Sequence, residues 1–251
     1  MEFNKLYNDD CFNVFPSIPK KSIDLVLVDL PYGQTDCEWD VEIDLKLMWE
    51  TLKRICKDNC QYVFFTTTKF GYKLIHSNQS WFKYDLVWEK CHTVGFLNAN
   101  RMPLRSHEMI YIFNQSKQAK IKFDRTYNPQ KTPGKPYKAK QKENRALNYG
   151  KMKENVLDNT TGDRHPKSII NFHQSDEKLH PTQKPSDLCE WLIKTYSNEN
   201  DVVLDFCMGS GSSIIGCIKS NRKYIGIEKD KSIFEVAQKR INDHQNIIFD
   251  V

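Results

Sequence analysis

Four residues, Asp29-Leu30-Pro31-Tyr32, follow an apolar run from Ile23 to Val28 and bring a carboxylate, a proline turn and an aromatic ring together. A carboxylate polarises an amino group by accepting its N–H, and a neighbouring ring holds a planar base by stacking. Those are the tools for chemistry on the exocyclic amine of a nucleobase. Taken alone, the tetrapeptide also fits any strand that ends in an acid and a proline turn. Its weight comes from a second segment far along the chain, Asp205-Phe-Cys-Met-Gly209-Ser210-Gly211-Ser.

That second segment sits in a sequence of strand, glycine turn, helix, strand and acid. Val202–Asp205 reads as a strand, Ser212–Ser220 as a helix and Tyr224–Glu228 as the next strand. Gly209 and Gly211 allow close approach of the backbone to a ligand. Glu228 follows Gly211 by 17 residues, where doubly wound folds place the carboxylate that holds ribose hydroxyls. A dinucleotide fingerprint would need a third glycine at position 214, which is Ile214; Gly216 comes two residues late. The Lys-Ser/Thr pair of a phosphate loop is missing too. A ligand with ribose and no phosphate fits better, and S-adenosylmethionine is such a ligand.

The elements that must position these residues alternate in an α/β manner. Ile23–Val28 is near-continuously apolar and reads as a buried strand. Ile43–Cys56 carries Ile43, Leu47, Met48, Leu52 and Ile55 at helical spacing, which predicts a core-facing stripe. Lys5–Asn8, Tyr62–Phe65, Leu86–Trp88 and Met109–Phe113 read as further short strands. Ser186–Tyr196 reads as a helix capped by Ser186, with Leu188, Trp191, Leu192 and Thr195 on one side. Ser232–Asn242 is a last helix. Between about Asn114 and Leu179 the hydrophobic period is lost to Lys, Asn, Pro and Gly, and alternation then resumes, so this stretch reads as an insertion. The expected domains are 1–114, the catalytic half of the core, 115–179, the insertion, and 180–251, the cofactor-binding half.

Charge is concentrated in the insertion. The whole chain has a net charge of +5, whereas Gln115 to Lys153 holds twelve Lys/Arg against Asp124 and Glu143, a local +10. Such a segment attracts polyanions through counterion release, although a solvated lysine-rich loop has the same composition. The eight cysteines contain no Cys-x-x-Cys pair, and Cys56-x3-Cys60 has no matching His/Cys pair nearby, so no zinc site is expected. With no leader and no run of membrane-spanning length, the chain reads as reduced, soluble and cytoplasmic.

Asp29-Leu-Pro-Tyr32 resembles the Asp-Pro-Pro-Tyr motif of amino-group DNA methyltransferases, and Asp205–Gly211 resembles their cofactor loop. His180-Pro-Thr-Gln-Lys-Pro185 is similar to the segment that precedes this loop in the beta group, and the order of the motifs matches that group. The stretch from Trp88-Glu-Lys90 to Arg105-Ser-His-Glu108 fits between catalytic motif and recognition region. The resemblance covers nearly the whole chain. It departs at Leu30, which replaces the first proline, and at Cys207, where the family usually has Phe.

The resemblance implies a doubly wound, Rossmann-like methyltransferase fold with a mixed, mainly parallel sheet and a basic target-recognition insertion. It implies methyl transfer from S-adenosylmethionine to the N6 amine of adenine in a flipped-out base of double-stranded DNA. Asp29 and the Leu30 carbonyl would accept the two N–H groups, with Pro31 shaping the turn and Tyr32 stacking on the base. Asp10, Thr182, Gln183, Lys184, Asp205, Gly209, Ser210, Gly211 and Glu228 would bind the cofactor. Arg125, Arg145 and Arg164 could read guanine edges, and Lys135 and Lys138 could contact phosphates. His107 and Glu108 are read as a buried structural pair. The rival readings are a cytosine-N4 enzyme, an RNA or protein-amide methyltransferase, and a non-catalytic DNA-binding subunit. A homodimer and a companion restriction enzyme are further expectations from the family.

Overall fold

The computed structural model of the chain describes residues 2–33, 41–115, 125–141, 155–173 and 183–249. Its elements run β1 (Lys5–Asn8), α1 (Cys11–Val14), β2 (Ile23–Asp29), α2 (Leu45–Ile55), β3 (Cys56–Thr66), α3 (Thr68–Ser77), β4 (Phe82–Val94) and β5 (Arg105–Asn114). There follow β6 (Tyr137–Gln141), β7 (Asn155–Asn159), β8 (Ile169–Phe172), α4 (Ser186–Tyr196), β9 (Val202–Asp205), α5 (Ser212–Lys219), β10 (Lys223–Glu228) and α6 (Lys231–Phe249). The chain divides into two compact units, Met1–Asn128 with Ser168–Val251, and Pro129–Lys167.

The first unit is built on a sheet in the order β1-β10-β9-β2-β3-β5-β4-β8 among the described residues. From β1 to β3 all pairings are parallel; β5 is antiparallel to both β3 and β4, and β8 is parallel to β4. This is the expected doubly wound, mixed and mainly parallel α/β architecture. β2 lies between β9 and β3, so both of its faces are covered, which is why its sequence is apolar without alternation. Val26 and Val28 face one core with Met48, Leu52 and Phe64, while Leu25 and Leu27 face the other with Leu188, Leu192 and Ile214. A register shift between Ile23 and Leu25 interrupts the ladder to β3. There Asp24 takes Lys57 Nζ at 2.6 Å and the Val202 N–H at 3.0 Å, tying the starts of three strands together.

Two details of the helices differ from expectation. The buried stripe of α2 is Met48, Trp49, Leu52 and Ile55, whereas Leu47 is exposed. Trp49 replaces it because its ring packs against Tyr62, Phe64 and Phe113 while its indole N–H donates to Ser77 Oγ of α3 at 2.8 Å. At α4 the N-cap is Pro185, whose extended backbone precedes the helix, and Ser186 is already the first helical residue without a capping bond. α3, unanticipated, begins with Thr67 as its cap, accepting the Phe70 N–H at 3.2 Å.

Part of the stretch expected to lack regular structure is stranded. β8 adds to the main sheet beside β4 through backbone pairing, which needs no hydrophobic period. The second unit contains the antiparallel β6–β7 pair, where Lys138 sits opposite Asp158 in register and bonds it at 2.9 Å. A Cβ on Gly162 would lie 2.0 Å from the Gly134 carbonyl oxygen, and its φ of +78° favours glycine as well. No helix among the described residues is long and apolar enough to cross a membrane.

Candidate active site

The carboxyl ends of β2, β9 and β10 open onto one cleft of about 1090 Å³ in the first unit. The ends of adjacent strands at the point where strand order reverses are where open α/β sheets bind ligands. Asp29 stands at the end of β2, Asp205 at the end of β9 and Glu228 at the end of β10, and all three line the cleft.

Asp29 is held on both oxygens. The Tyr32 hydroxyl donates to Oδ1 at 2.5 Å, and the Lys184 ammonium lies 2.6 Å from Oδ2. Tyr32 packs its ring on Phe70 with centroids 5.1 Å apart, which fixes the aromatic beside the carboxylate. Burial raises the Tyr32 phenol above its usual range, and the Asp29 charge adds to this, so the hydroxyl stays a donor. Leu30 and Pro31 line the same wall.

Lys184 has a second partner, Glu108 Oε2 at 3.1 Å, and Glu108 is also paired through Oε1 with Lys90. Burial works against the Lys184 charge, but the carboxylates of Asp29 and Glu108 outweigh it and raise its pKa. Burial likewise works to raise Glu108, and the ammoniums of Lys184 and Lys90 turn its shift downward. The result is a nearly neutral chain of four charges, Asp29, Lys184, Glu108 and Lys90, along one wall of the cleft. Lys184 also lies over the Phe65 ring and Lys90 over Trp88, at 5.3 and 5.2 Å. Sequence reasoning set Glu108 aside and did not single out Lys90. The available signal was strand alternation: Trp88 and Lys90 share a face of β4, and Trp88 is paired with Glu108 on β5.

On the other side of the cleft, Gly209 and Gly211 turn the chain from β9 into α5 with φ of +52° and +80°. A Cβ on Gly209 would meet nothing within 4 Å, so the space beside the turn is open to a ligand. Glu228 accepts the Gly209 N–H at 3.0 Å on Oε2 and the Asp230 N–H at 2.9 Å on Oε1. Burial raises its pKa. Asp10 caps α1 by accepting the Phe12 N–H at 3.0 Å and pairs with Lys229 at 3.0 Å. It combines the turn-forming role with a place on the cleft wall. Gln183 is buried, with Ser210 Oγ donating to its Oε1 at 3.4 Å, and both line the cleft. Lys184, expected beside the cofactor's methionine end, makes ion pairs with Asp29 and Glu108. Thr182 lies outside the described residues.

These residues fit an adenosine-bearing ligand. Asp10 and Glu228 supply carboxylate acceptors, Phe12, Phe206 and Ile233 supply apolar walls, and the glycine turn leaves room for close contact. Phe206, beside the unusual Cys207, is buried against Phe15 with centroids 5.4 Å apart while lining the cleft.

Asp205 is buried, takes the Cys207 N–H at 3.1 Å on Oδ1 and the Ser213 hydroxyl on Oδ2. Burial pushes its carboxyl up to about 7, and the charges of Asp29 and Glu228 add to the rise against the lowering effect of those two hydrogen bonds. A native pKa above the unfolded value means that the folded chain keeps a proton the unfolded chain releases between about pH 4 and 7. Stability should therefore fall as pH rises through that window. Asp205→Asn should remove this slope. Between pH 5 and 8, the unfolding free energy of the variant should gain about 2–3 kcal/mol relative to wild type in urea titrations. A difference that stays flat with pH would mean that Asp205 is ionised throughout.

The candidate nucleic-acid contacts are less alike than their spacing suggested. Arg125 belongs to the first unit and is half-buried. Within the second unit, Arg164 stacks over the Tyr137 ring at 4.7 Å, donates to the Lys135 carbonyl at 2.6 Å and also bonds Gly162. Its guanidinium is held inside the unit, with Thr132 and Arg164 also bridged through their backbones. Lys135 and Lys138 are exposed, Lys138 in its pair with Asp158. Arg145 lies outside the described residues.

A doubly wound sheet with a glycine turn after one strand and a terminal acid on the next, opposite an Asp-x-Pro-Tyr wall, defines the class of S-adenosylmethionine-dependent methyltransferases. The chain belongs to the N6/N4 DNA methylase family, whose profile matches residues 23–239. Among its relatives, the type II methyltransferase M1.MboII of Moraxella bovis is 26% identical over 96% of this chain and 98% of its own length. M.HinfI of Haemophilus influenzae is 28% identical over 96% of this chain and 68% of its own length. In structure, the M1.HpyAVI–SAM complex aligns with a TM-score of 0.62 at 19% identity, covering 95% of this chain and 98% of that one. The cytosine-N4-specific PvuII DNA methyltransferase aligns at 0.66 and 14% identity, covering 100% and 94%. These two structural likenesses concern the fold.

Proposed function

We propose that this chain methylates the exocyclic N6 amine of adenine in double-stranded DNA at a specific sequence, as the modification enzyme of a restriction–modification pair. The observation that carries the reading is the Asp29 carboxylate at the end of β2, braced by Tyr32 and Lys184 inside the cleft that also holds Glu228 and the glycine turn. Relatives named as type II methyltransferases over nearly the whole chain support the biological setting.

The adenine amine is a poor nucleophile because its lone pair is delocalised into the ring. Asp29 accepts one of its N–H groups and the Leu30 carbonyl the other, which lets nitrogen become tetrahedral and frees the lone pair. When bound, S-adenosylmethionine supplies an electrophilic methyl group on sulfur. Asp29 then takes the proton that the methylated nitrogen sheds. Because a stacked base is out of reach, the target is flipped into the cleft, where the Tyr32 ring, backed by Phe70, stacks on it. Positioning and charge placement supply most of the acceleration. Glu228 holds the ribose diol and Asp10 the cofactor's adenine amine. The exposed lysines of the second unit meet phosphates.

The test is transfer of labelled methyl from S-adenosylmethionine to unmethylated duplex DNA, followed by nucleoside analysis. Label is expected in N6-methyladenine. Label in N4-methylcytosine would keep the site and overturn the base. Bound cofactor with no label in any DNA would overturn the catalytic reading and leave a DNA-binding subunit or an RNA enzyme.

A further inference from the structure

We infer that Lys184 is a substrate-reading residue: together with Asp29 it recognises the edge of the flipped base on which an amine and a ring nitrogen sit side by side. The inference rests on the amino-methylation reading above and names the chemistry that the same site selects.

Lys184 Nζ lies 2.6 Å from Asp29 Oδ2, so an acceptor and a donor stand next to each other on the cleft wall. An exocyclic amine next to an unprotonated ring nitrogen presents the complementary order, a donor and then an acceptor. Adenine has this edge at N6 and N1, and cytosine has it at N4 and N3. At O4 and N3 of thymine, and at O6 and N1 of guanine, a carbonyl stands next to a ring N–H, which would set oxygen against the Asp29 carboxylate and a proton against the ammonium. Guanine repeats the adenine order only at N2 and N3, on the edge beside its glycosidic bond. The pair therefore attracts one class of base and repels the other.

Three features support this placement. An ammonium has three N–H donors, and among the described residues only Asp29 and Glu108 supply it with oxygen partners. Glu108 Oε2 lies within ion-pair distance but accepts no hydrogen bond from the described residues, so at least one donor is left for a ligand in a residue that lines the cleft. Its side chain is only 12% exposed, so a ligand displaces little water to reach it. Glu108 is anchored by Lys90 on its far oxygen, which holds Lys184 from behind. Glu108 is thus a positioning residue, acting through Lys184.

The inference is tested by crossing a change in the protein with a change in the base. The probe is a duplex containing the methylated site, located by modification-sensitive sequencing of DNA treated with the enzyme, with the target adenine intact or replaced by 1-deazaadenine, which has C–H at that ring position, or by 7-deazaadenine. Single-turnover methylation is measured for wild type and Lys184→Met, with cofactor affinity measured in parallel. On normal DNA, Lys184→Met should be slower by about 30-fold, the effect of one charged hydrogen bond. On 1-deazaadenine the variant and wild type should agree within about threefold, because the partner of Lys184 is then already gone. On 7-deazaadenine the 30-fold gap should persist.

Comparing variant with wild type on each base cancels any change in intrinsic reactivity. The same gap on 1-deazaadenine as on adenine would overturn the assignment and leave Lys184 acting only through Asp29. A gap that closes on 7-deazaadenine instead would place the contact at the other edge. A more than tenfold weaker S-adenosylmethionine affinity in the variant would return Lys184 to the cofactor. If Lys184→Met does not fold, Lys184→Arg takes its place: it keeps a donor with altered reach, and a gap unchanged by the 1-deaza substitution again overturns the inference. Should the labelled product be N4-methylcytosine, the adenine reading fails on its own, and 3-deazacytosine replaces 1-deazaadenine in the same cross.

Discussion

Asp29→Ala should reduce methyl transfer by roughly a thousandfold or more while changing S-adenosylmethionine affinity by no more than about threefold. The loss is large because one group has several tasks at the end of β2. In the proposed reaction it accepts an amine N–H and receives the methylated nitrogen's proton, and it balances the Lys184 ammonium 2.6 Å away. Without it, the Tyr32 hydroxyl loses its 2.5 Å acceptor and an excess positive charge remains in the cleft. That charge should weaken a cationic cofactor slightly rather than strengthen its binding. Glu108 continues to hold Lys184, and Glu228 and the glycine turn stand on other strands, so the cofactor side should survive. Labelled-methyl assays together with calorimetry separate the two quantities. Turnover near the wild-type rate would remove Asp29 from the reaction altogether.

The largest effect on stability is expected at a residue with no part in the chemistry. Gly216 lies in α5 where it meets α4. A Cβ there would come 2.8 Å from the Glu190 backbone nitrogen and 3.1 Å from the Cys189 carbonyl carbon. Backbone atoms inside a packed helix cannot move aside as a flexible side-chain tip can, so a larger residue must force the helices apart. Gly216→Val should cost about 3 kcal/mol in urea unfolding, with only a few tenths regained from helix propensity. Because α5 starts directly after Gly211, the same shift should displace the turn and weaken cofactor binding too. Unchanged stability would mean that α4 and α5 tolerate separation. In the sequence Gly216 was conspicuous only as a misplaced third glycine of a dinucleotide fingerprint, and its reason is a helix contact.

This contrast bears on what can be read from a chain. β2, α4, β9, α5 and β10 were visible because each buries a continuous run or a regular stripe, and local spacing encodes that. The acids at the ends of β2, β9 and β10 were visible for the same reason, since a strand's end is marked where its apolar run stops. The joining of Lys184 to Glu108 was not legible. It links the segment before α4 to a hairpin strand across the sheet, and no spacing in either segment specifies the other. β8 was hidden because four residues paired by their backbones need no pattern of side chains. Arg164 was read as a contact for a partner because an arginine in a basic stretch looks the same in sequence whether its guanidinium faces solvent or clamps its own turn.

The order of strands also bears on how the chain is made. Among the described residues β1 pairs only with β10, and the Asn8 amide reaches the Glu228 carbonyl across 220 residues. β2, which ends in Asp29, needs β9 on one of its edges. A ribosome therefore releases the first half of the protein with a hydrophobic central strand open along one side and its first strand unpaired. Neither gap can close until β9 and β10 have emerged. Long-range parallel pairing of this kind makes folding slow and leaves an exposed edge as a hazard during synthesis. The N-terminal half would then be an aggregation-prone fragment rather than a small enzyme, and methylation competence would arrive in one step, with the last strand.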